Sequence, residues 1–109
     1  IALADDSQAP GVFQAAADLD LSVPRDLSIL GFGNQDHRSA SALGLTTVEW
    51  PLKEMTEAAV ASIINVIEGR SPMTDIHPQA SIDEEAPDGT PIATIPTRPV
   101  WRSSVARRA

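Results

Sequence analysis

An almost unbroken apolar segment, Leu27-Ser28-Ile29-Leu30-Gly31-Phe32, constrains the fold of this chain more than any other feature of the sequence. Only Ser28 carries a polar side chain, which predicts a strand covered on both faces, as in a parallel sheet flanked by helices. Pro24 precedes the segment, and the polar loop Gly33-Asn34-Gln35-Asp36 follows it. The sequence therefore predicts an α/β fold with a parallel sheet.

Strands and helices are predicted to alternate on either side of this segment. Asp5-Asp6-Ser7 supplies capping residues for one helix, and Gly69 is well placed to end another. That second helix has apolar residues over about half its circumference, which predicts packing on a sheet with one further neighbour. The predicted elements are a strand at Ile1–Ala4, a helix at Gln8–Leu19, a helical turn at His37–Leu43, a strand at Leu45–Val48 and a helix at Pro51–Glu68.

The composition changes after residue 70. Five of the nine prolines lie between Ser71 and Pro96, together with several acidic residues and no apolar periodicity. We predict an α/β body over residues 1–70, a Pro-rich acidic loop over 71–96, a final strand over 97–105 and a basic tail over 106–109. Because the chain starts with Ile1 in a predicted strand, it is expected to be a piece of a longer polypeptide.

Charge and composition exclude several classes of function. Eight basic and fifteen acidic residues give a net charge of −7, which opposes unaided binding of nucleic-acid phosphates. The absence of cysteine excludes disulfides, thiolate zinc sites and a cysteine nucleophile. No apolar run reaches the ~18 residues of a membrane span.

Candidate catalytic and metal-binding residues lack the partners that such chemistry needs. Asp36-His37 is not accompanied by a Gly-x-Ser-x-Gly nucleophile motif. His77 has no second ligand at helical spacing. We therefore predict neither an enzyme nor a metal or cofactor site.

Polar and aromatic residues follow three predicted strands. Ligands of parallel α/β sheets gather at the carboxyl ends of the strands, so these residues are expected to converge. Asp5 and Asp6 are foremost capping residues, and Trp50 either stacks on a ligand or packs beneath the long helix. The predicted ligand-binding residues are Asp5, Asp6, Ser7, Gly33, Asn34 and Trp50.

Taken in order, these segments resemble the lactose/galactose-repressor family of bacterial transcription regulators. The resemblance covers residues 1–69 and 96–105. It rests on Ala4-Asp5-Asp6-Ser7-Gln8-Ala9, residues 21–32, Leu45-Thr46-Thr47-Val48, Pro51-Leu52-Lys53-Glu54-Met55, Ala58-Ala59-Val60, Ile67-Glu68-Gly69 and Arg102-Ser103-Ser104.

The resemblance implies the closing portion of the C-terminal lobe of a periplasmic-binding-protein-like (type I) effector domain. A cytoplasmic, non-enzymatic repressor is then expected, which reaches operator DNA only through an N-terminal helix-turn-helix that this chain lacks. The family also implies a homodimer or higher oligomer, with an interface that includes the first helix. We assign Val12, Ala15, Ala16 and Leu19 to that interface.

Three positions depart from the family pattern. Asp5 replaces the usual Asn, Gly33 replaces an Asp that binds ligand hydroxyls, and Trp50 replaces a frequent Gln. These changes predict an effector that is sugar-like or flatter and less hydroxylated, or one with a positive charge to meet Asp5. The alternative function is a fragment of an exported solute-binding protein of a transporter, which shares the fold.

Overall fold

The structure is a computed structural model that describes residues 1–107, without the side chains of Asp83 and Glu84. The predicted basic tail therefore lies partly outside the described residues, since Arg108 and Ala109 are not among them. The chain divides into two compact units, one of Ile1–Trp50 with the segment from Thr97 onward and one of Pro51–Pro96. This division differs from the predicted body and loop, because the long helix belongs with the residues that follow it.

In chain order the elements are a 3₁₀ turn at Asp6–Gln8, α1 at Ala9–Asp18, β1 at Leu30–Gly33, α2 at His37–Leu43, β2 at Thr46–Glu49, α3 at Leu52–Ile67, β3 at Ser81–Glu85, β4 at Pro91–Thr94 and β5 at Arg98–Val100.

The first unit contains a mixed sheet in the order β1-β2-β5. β1 and β2 are parallel, with Leu30 opposite Thr46, whereas β2 and β5 are antiparallel, with Thr47 opposite Val100. The α/β fold is confirmed, and β5, for which the sequence predicted no direction, adds an antiparallel strand to the parallel pair. The strand predicted at Ile1–Ala4 is reduced to a single parallel bridge between Ala2 and Leu30.

A small apolar core supports this sheet. Ile29 and Leu45 are fully buried and pack with Ala9 of α1 and Ala40 of α2. The two alanines allow both helices to approach the sheet closely. The core therefore fixes α1 and α2 around the carboxyl end of β1, where the polar residues lie.

Ser104 joins the end of the chain to this core. Its buried hydroxyl donates to the carbonyl of Ile29 at 2.6 Å and accepts the N–H of Thr46 at 2.8 Å. The predicted final strand over 97–105 is shorter in the structure, because pairing with β2 ends at Val100. Beyond β5, the side-chain bonds of Ser104 act together with isolated main-chain bonds, in which Ser103 and Ser104 donate to the carbonyl of Gly44 and Ile29 donates to the carbonyl of Ser104.

The second unit consists of α3 and a two-stranded antiparallel sheet of β3 and β4. α3 matches the predicted helix within one residue at each end. The predicted loop over 71–96 is wrong, because it contains this hairpin. Main-chain pairing organises the segment despite its low apolar content, and Asn65 anchors its start by donating to the carbonyl of Thr74 at 2.7 Å.

Candidate functional site

Asp5 caps the 3₁₀ turn that leads into α1. Its Oδ1 accepts the backbone N–H of Ser7 at 2.8 Å. The hydrogen bonds from Ser7 hold the pKa of the Asp5 carboxyl below its usual value, so the group is ionised at neutral pH. The predicted capping role of Asp5 is present in the structure.

Asp6 turns its carboxylate toward the sheet. Oδ2 accepts the backbone N–H of Asn34 at 2.8 Å, and Oδ1 accepts the hydroxyl of Thr47 at 2.8 Å. A Cβ at Gly31 would overlap Oδ1 of Asp6 and lie 2.8 Å from a methyl group of Leu45. Asp6 therefore joins the residue that follows β1 to Thr47 within β2, and Gly31 leaves the space that the carboxylate needs.

β1 ends in a left-handed turn. Gly33 has φ +117° and Asn34 has φ +53°. The Asn34 side chain is 3% exposed; its Nδ2 donates to Oε1 of Glu49 at 2.9 Å and its Oδ1 accepts from Arg102 at 3.1 Å. Both polar atoms of the buried amide group thus have partners on β2 or the terminal segment.

Glu49 forms the outer end of this network. Its Oε2 pairs with Arg98 of β5, and Nδ1 of His37 lies 3.9 Å from Oε1. The hydrogen bonds from Arg98 and then Asn34 hold the Glu49 pKa below its usual value. Glu49 is thus ionised at neutral pH and crosslinks β2, β5 and the turn after β1.

Trp50 follows directly after Glu49. Its backbone N–H donates to the carbonyl of Gly33 at 3.3 Å. The indole is 42% exposed and meets the ring of Phe32 edge-on, with 5.7 Å between ring centroids. The ring therefore packs against β1 in the first unit.

A cavity of about 240 Å³ opens between the 3₁₀ turn, the end of β1 and α2. Asp36 caps α2 by accepting the N–H of Ser39 at 3.1 Å and its hydroxyl at 2.5 Å. The lining combines acidic and amide groups with apolar ones, and none of the Lys and Arg residues that the structure describes is part of it. It consists of Asp5, Asp6, Ser7, Pro10, Phe32, Gln35, Asp36, Ser39, Ala40 and Leu43.

The structure brings the predicted ligand-binding residues to the same end of the sheet but gives them different positions. Asp5, Asp6 and Ser7 line the cavity. Gly33 lies beside it, since a Cβ there would be 4.0 Å from Oδ2 of Asp5. Asn34 is buried behind the wall, and Trp50 contacts the cavity only through Phe32.

Sequence reasoning missed the contribution of α2 to the cavity. The Asp36-x-x-Ser39 spacing is a usable signal, because an Asp at the N-cap accepts from the third residue of a helix. The apolar lining residues Pro10, Phe32 and Leu43 become neighbours only through tertiary packing.

The four residues assigned to a dimer interface divide between two faces of α1. Ala16 is buried and Val12 packs on the core of the first unit, whereas Ala15 and Leu19 are exposed. Their role in a dimer stays a prediction. Of the four, Ala15 and Leu19 are the residues that a partner subunit could contact.

The described residues show neither a metal-binding cluster nor a membrane-spanning helix. Among the side chains described in residues 1–107, which leave out those of Asp83 and Glu84, no group of three or more His, Asp or Glu is arranged to bind a metal ion. Within the same residues, every helix is too short or too polar to span a bilayer.

Comparison with known proteins agrees with this geometry. The family described as "Periplasmic binding protein-like domain" matches residues 1–105. The chain belongs to this family. The expected lactose/galactose-repressor type of effector domain is confirmed, since its relatives are regulators of that kind.

Two curated relatives are named as helix-turn-helix transcription regulators. MalR of Clostridium butyricum is 40% identical over 62 residues, which cover 57% of this chain and 18% of the relative. The repressor PurR of Yersinia enterocolitica is 31% identical over 87 residues, which cover 77% of this chain and 26% of the relative. The chain therefore spans about a fifth to a quarter of the length of these regulators.

Solved structures share the fold. A LacI-family transcriptional regulator from Burkholderia phymatum aligns with 97% of this chain and 32% of its own, at 29% identity and a TM-score of 0.62. The dimeric Lac repressor with an 11-residue C-terminal deletion aligns with 95% of this chain and 32% of its own, at a TM-score of 0.68. At 18% identity, this second likeness concerns the fold alone.

Proposed function

We propose that this chain is the effector-sensing and dimerisation portion of a cytoplasmic transcriptional repressor. The observation that carries the proposal is the cavity at the carboxyl end of β1, in a chain whose named relatives are helix-turn-helix regulators. A bound effector would change the balance between DNA-competent and DNA-incompetent arrangements through its differential affinity for the two. No enzymatic step is part of this function.

The names of the relatives favour a regulator over the alternative of a transporter's solute-binding protein. The full-length protein would then carry a helix-turn-helix before Ile1 and bind operator DNA as a homodimer or higher oligomer. A secretory signal in that place, with no operator binding in a fluorescence anisotropy titration, would support the transporter instead.

We further propose that the effector carries a cationic group. Three aspartates line the cavity, of which Asp6 has its carboxylate bonded to Asn34 and Thr47, and among the described residues no Lys or Arg lines it with them. The positive side chain that acts on Asp36 is Arg38, which lies outside the lining. Phe32, Pro10 and Leu43 provide apolar contact for the rest of a small ligand. A flat neutral ligand stacked on Trp50 has less support. Trp50 is not one of the lining residues, and its ring packs on Phe32, which is one.

The test is a thermal-shift and calorimetric screen of the full-length regulator. The panel holds pairs of compounds that share a skeleton and differ in one amine, such as glucose with glucosamine and cyclohexanol with cyclohexylamine. We expect the amines to bind better than their neutral partners. The Asp5→Asn variant should bind them about tenfold more weakly, because a hydrogen bond to a charged group, ~1.5–3 kcal/mol, is replaced by a neutral one of ~0.5–1.5 kcal/mol. Asp26→Asn is the control, since Asp26 pairs with Arg25 away from the cavity.

The outcomes separate the two proposals. If neutral members bind better and Asp5→Asn leaves their affinity unchanged, the cationic effector is wrong while effector sensing stands. If no member of either class changes the melting temperature or the affinity for operator DNA, effector sensing at this cavity is contradicted.

A further inference from the structure

Asn34 joins the wall of the cavity to the outer end of the sheet. Its backbone N–H donates to Asp6, which lines the cavity, while its side-chain amide donates to Glu49 and accepts from Arg102. The preceding residue, Gly33, accepts the backbone N–H of Trp50. One left-handed turn therefore carries bonds to the cavity, to β2 and to the terminal segment.

The chemistry of this position calls for an amide. The side chain is 3% exposed and lies between the carboxylate of Glu49 and the guanidinium of Arg102. A carboxamide donates on one side and accepts on the other, whereas a carboxylate only accepts. An aspartate would keep the bond from Arg102 but place two negative groups together at Glu49.

We propose that Asn34 is a positioning residue of the effector site. It does not line the cavity; it fixes the Gly33–Asn34 turn, and through that turn it sets the Asp6 carboxylate on one side and Trp50 on the other. The meaning of this coupling for regulation rests on the proposed function. The coupling itself exists without any effector and can be measured in the free protein.

The experiment uses Asn34→Asp, Glu49→Gln and their combination in the full-length protein. In the double variant, the amide introduced at position 49 can donate to the carboxylate introduced at position 34, which reverses the direction of the original bond. Asn65→Asp is the matched control, because Asn65 is also a buried asparagine, 4% exposed, but donates to carbonyl groups in the second unit. It reports the loss of stability that any buried Asn→Asp change causes.

Two signals report the two sides of the turn. The first is emission and acrylamide quenching of Trp50, measured with Trp50 as the only tryptophan retained. The second is the amide NMR signal of Ser7, from selectively ¹⁵N-labelled serine and assigned with Ser7→Ala, since this N–H donates to Asp5 next to Asp6.

We expect Asn34→Asp to shift the Trp50 emission to the red, increase its quenching and move the Ser7 signal. The double variant restores both signals, and Asn65→Asp changes neither, although it lowers the melting temperature. The proposal is overturned if Asn34→Asp lowers the melting temperature and leaves both signals in place, or if the double variant restores neither. Because no ligand is present, these results are independent of the effector screen.

Discussion

At the scale of single residues, Gly31 and Asp6 form a steric pair. Asp6 crosses from the start of the chain to the hydroxyl of Thr47, and it passes over the position where a side chain of residue 31 would project. The sequence presents Gly31 as part of Gly31-Phe32-Gly33, which weakly resembles a dinucleotide turn. The structure explains the glycine differently: a side chain at position 31 would occupy the space of the Asp6 carboxylate.

The contact between Gly31 and Asp6 predicts that Gly31→Ala and Gly11→Ala change the stability in opposite directions. Gly31→Ala should lower the free energy of unfolding by ~1–3 kcal/mol, because a buried methyl group has no space there. Gly11→Ala should raise it by ~0.5–1 kcal/mol, because Gly11 lies in α1 with open space around it. Chemical denaturation of the two variants measures both changes, and equal values would contradict the role given to Gly31.

The hydrogen-bond partners of some residues of the site can be predicted from the sequence, and those of others cannot. The capping role of Asp5 follows from a partner two positions away. The partners of Asp6 are 28 and 41 positions away, and those of Asn34 are as distant as Arg102, so no local pattern predicts them. Sequence alone therefore located this end of the sheet but could not separate residues that face the cavity from residues that hold it in shape.

At the scale of elements, the helices were predictable and the hairpin was not. α1, α2 and α3 all lie within one residue of the predicted bounds, because apolar spacing and caps are local signals. β3 has one apolar residue, Ile82, and β4 begins with a proline, so neither matches the pattern of a strand. Pro87-Asp88-Gly89 between them was the available signal, since this sequence favours a tight turn.

Ser104 is the expected weak point in the attachment of the terminal segment to the sheet. Ser104→Ala leaves the buried N–H of Thr46 and the carbonyl of Ile29 without this partner, which should lower the free energy of unfolding by ~1–3 kcal/mol. Ser103→Ala is the control, because that exposed hydroxyl reaches the carbonyl of Gly44 only at 3.4 Å, and its effect should stay below ~0.5 kcal/mol. Urea unfolding curves compare the two, and similar losses would refute the special role of Ser104.

At the scale of the whole molecule, α3 exposes a large apolar surface. Ile63 and Val66 are each 60% exposed and Ile67 is 78% exposed. Monomeric proteins seldom leave contiguous apolar patches of this kind in water.

We expect the isolated chain to self-associate through this surface. Sedimentation velocity should show a weight-average mass that rises with concentration, and Ile63→Gln with Ile67→Gln should reduce the rise. Lys53→Gln is the control on the polar side of the same helix and should leave association unchanged. A concentration-independent monomer for the unchanged chain would contradict the prediction.

The attachment of residues 97–105 also determines when the first unit can fold during synthesis. Ser104 meets Ile29 across 75 positions and Thr46 across 58, and β5 pairs with β2 only after the whole second unit has been translated. Contacts between such distant positions form late, because a long loop must close first. The second unit is continuous from Pro51 to Pro96, whereas the sheet around the cavity gains β5 and the bonds of Ser104 only after residues 97–104 have been added. A premature stop codon before residue 97 would therefore leave an unfinished sheet with an exposed edge at β2, and such a product is a substrate for proteases and chaperones.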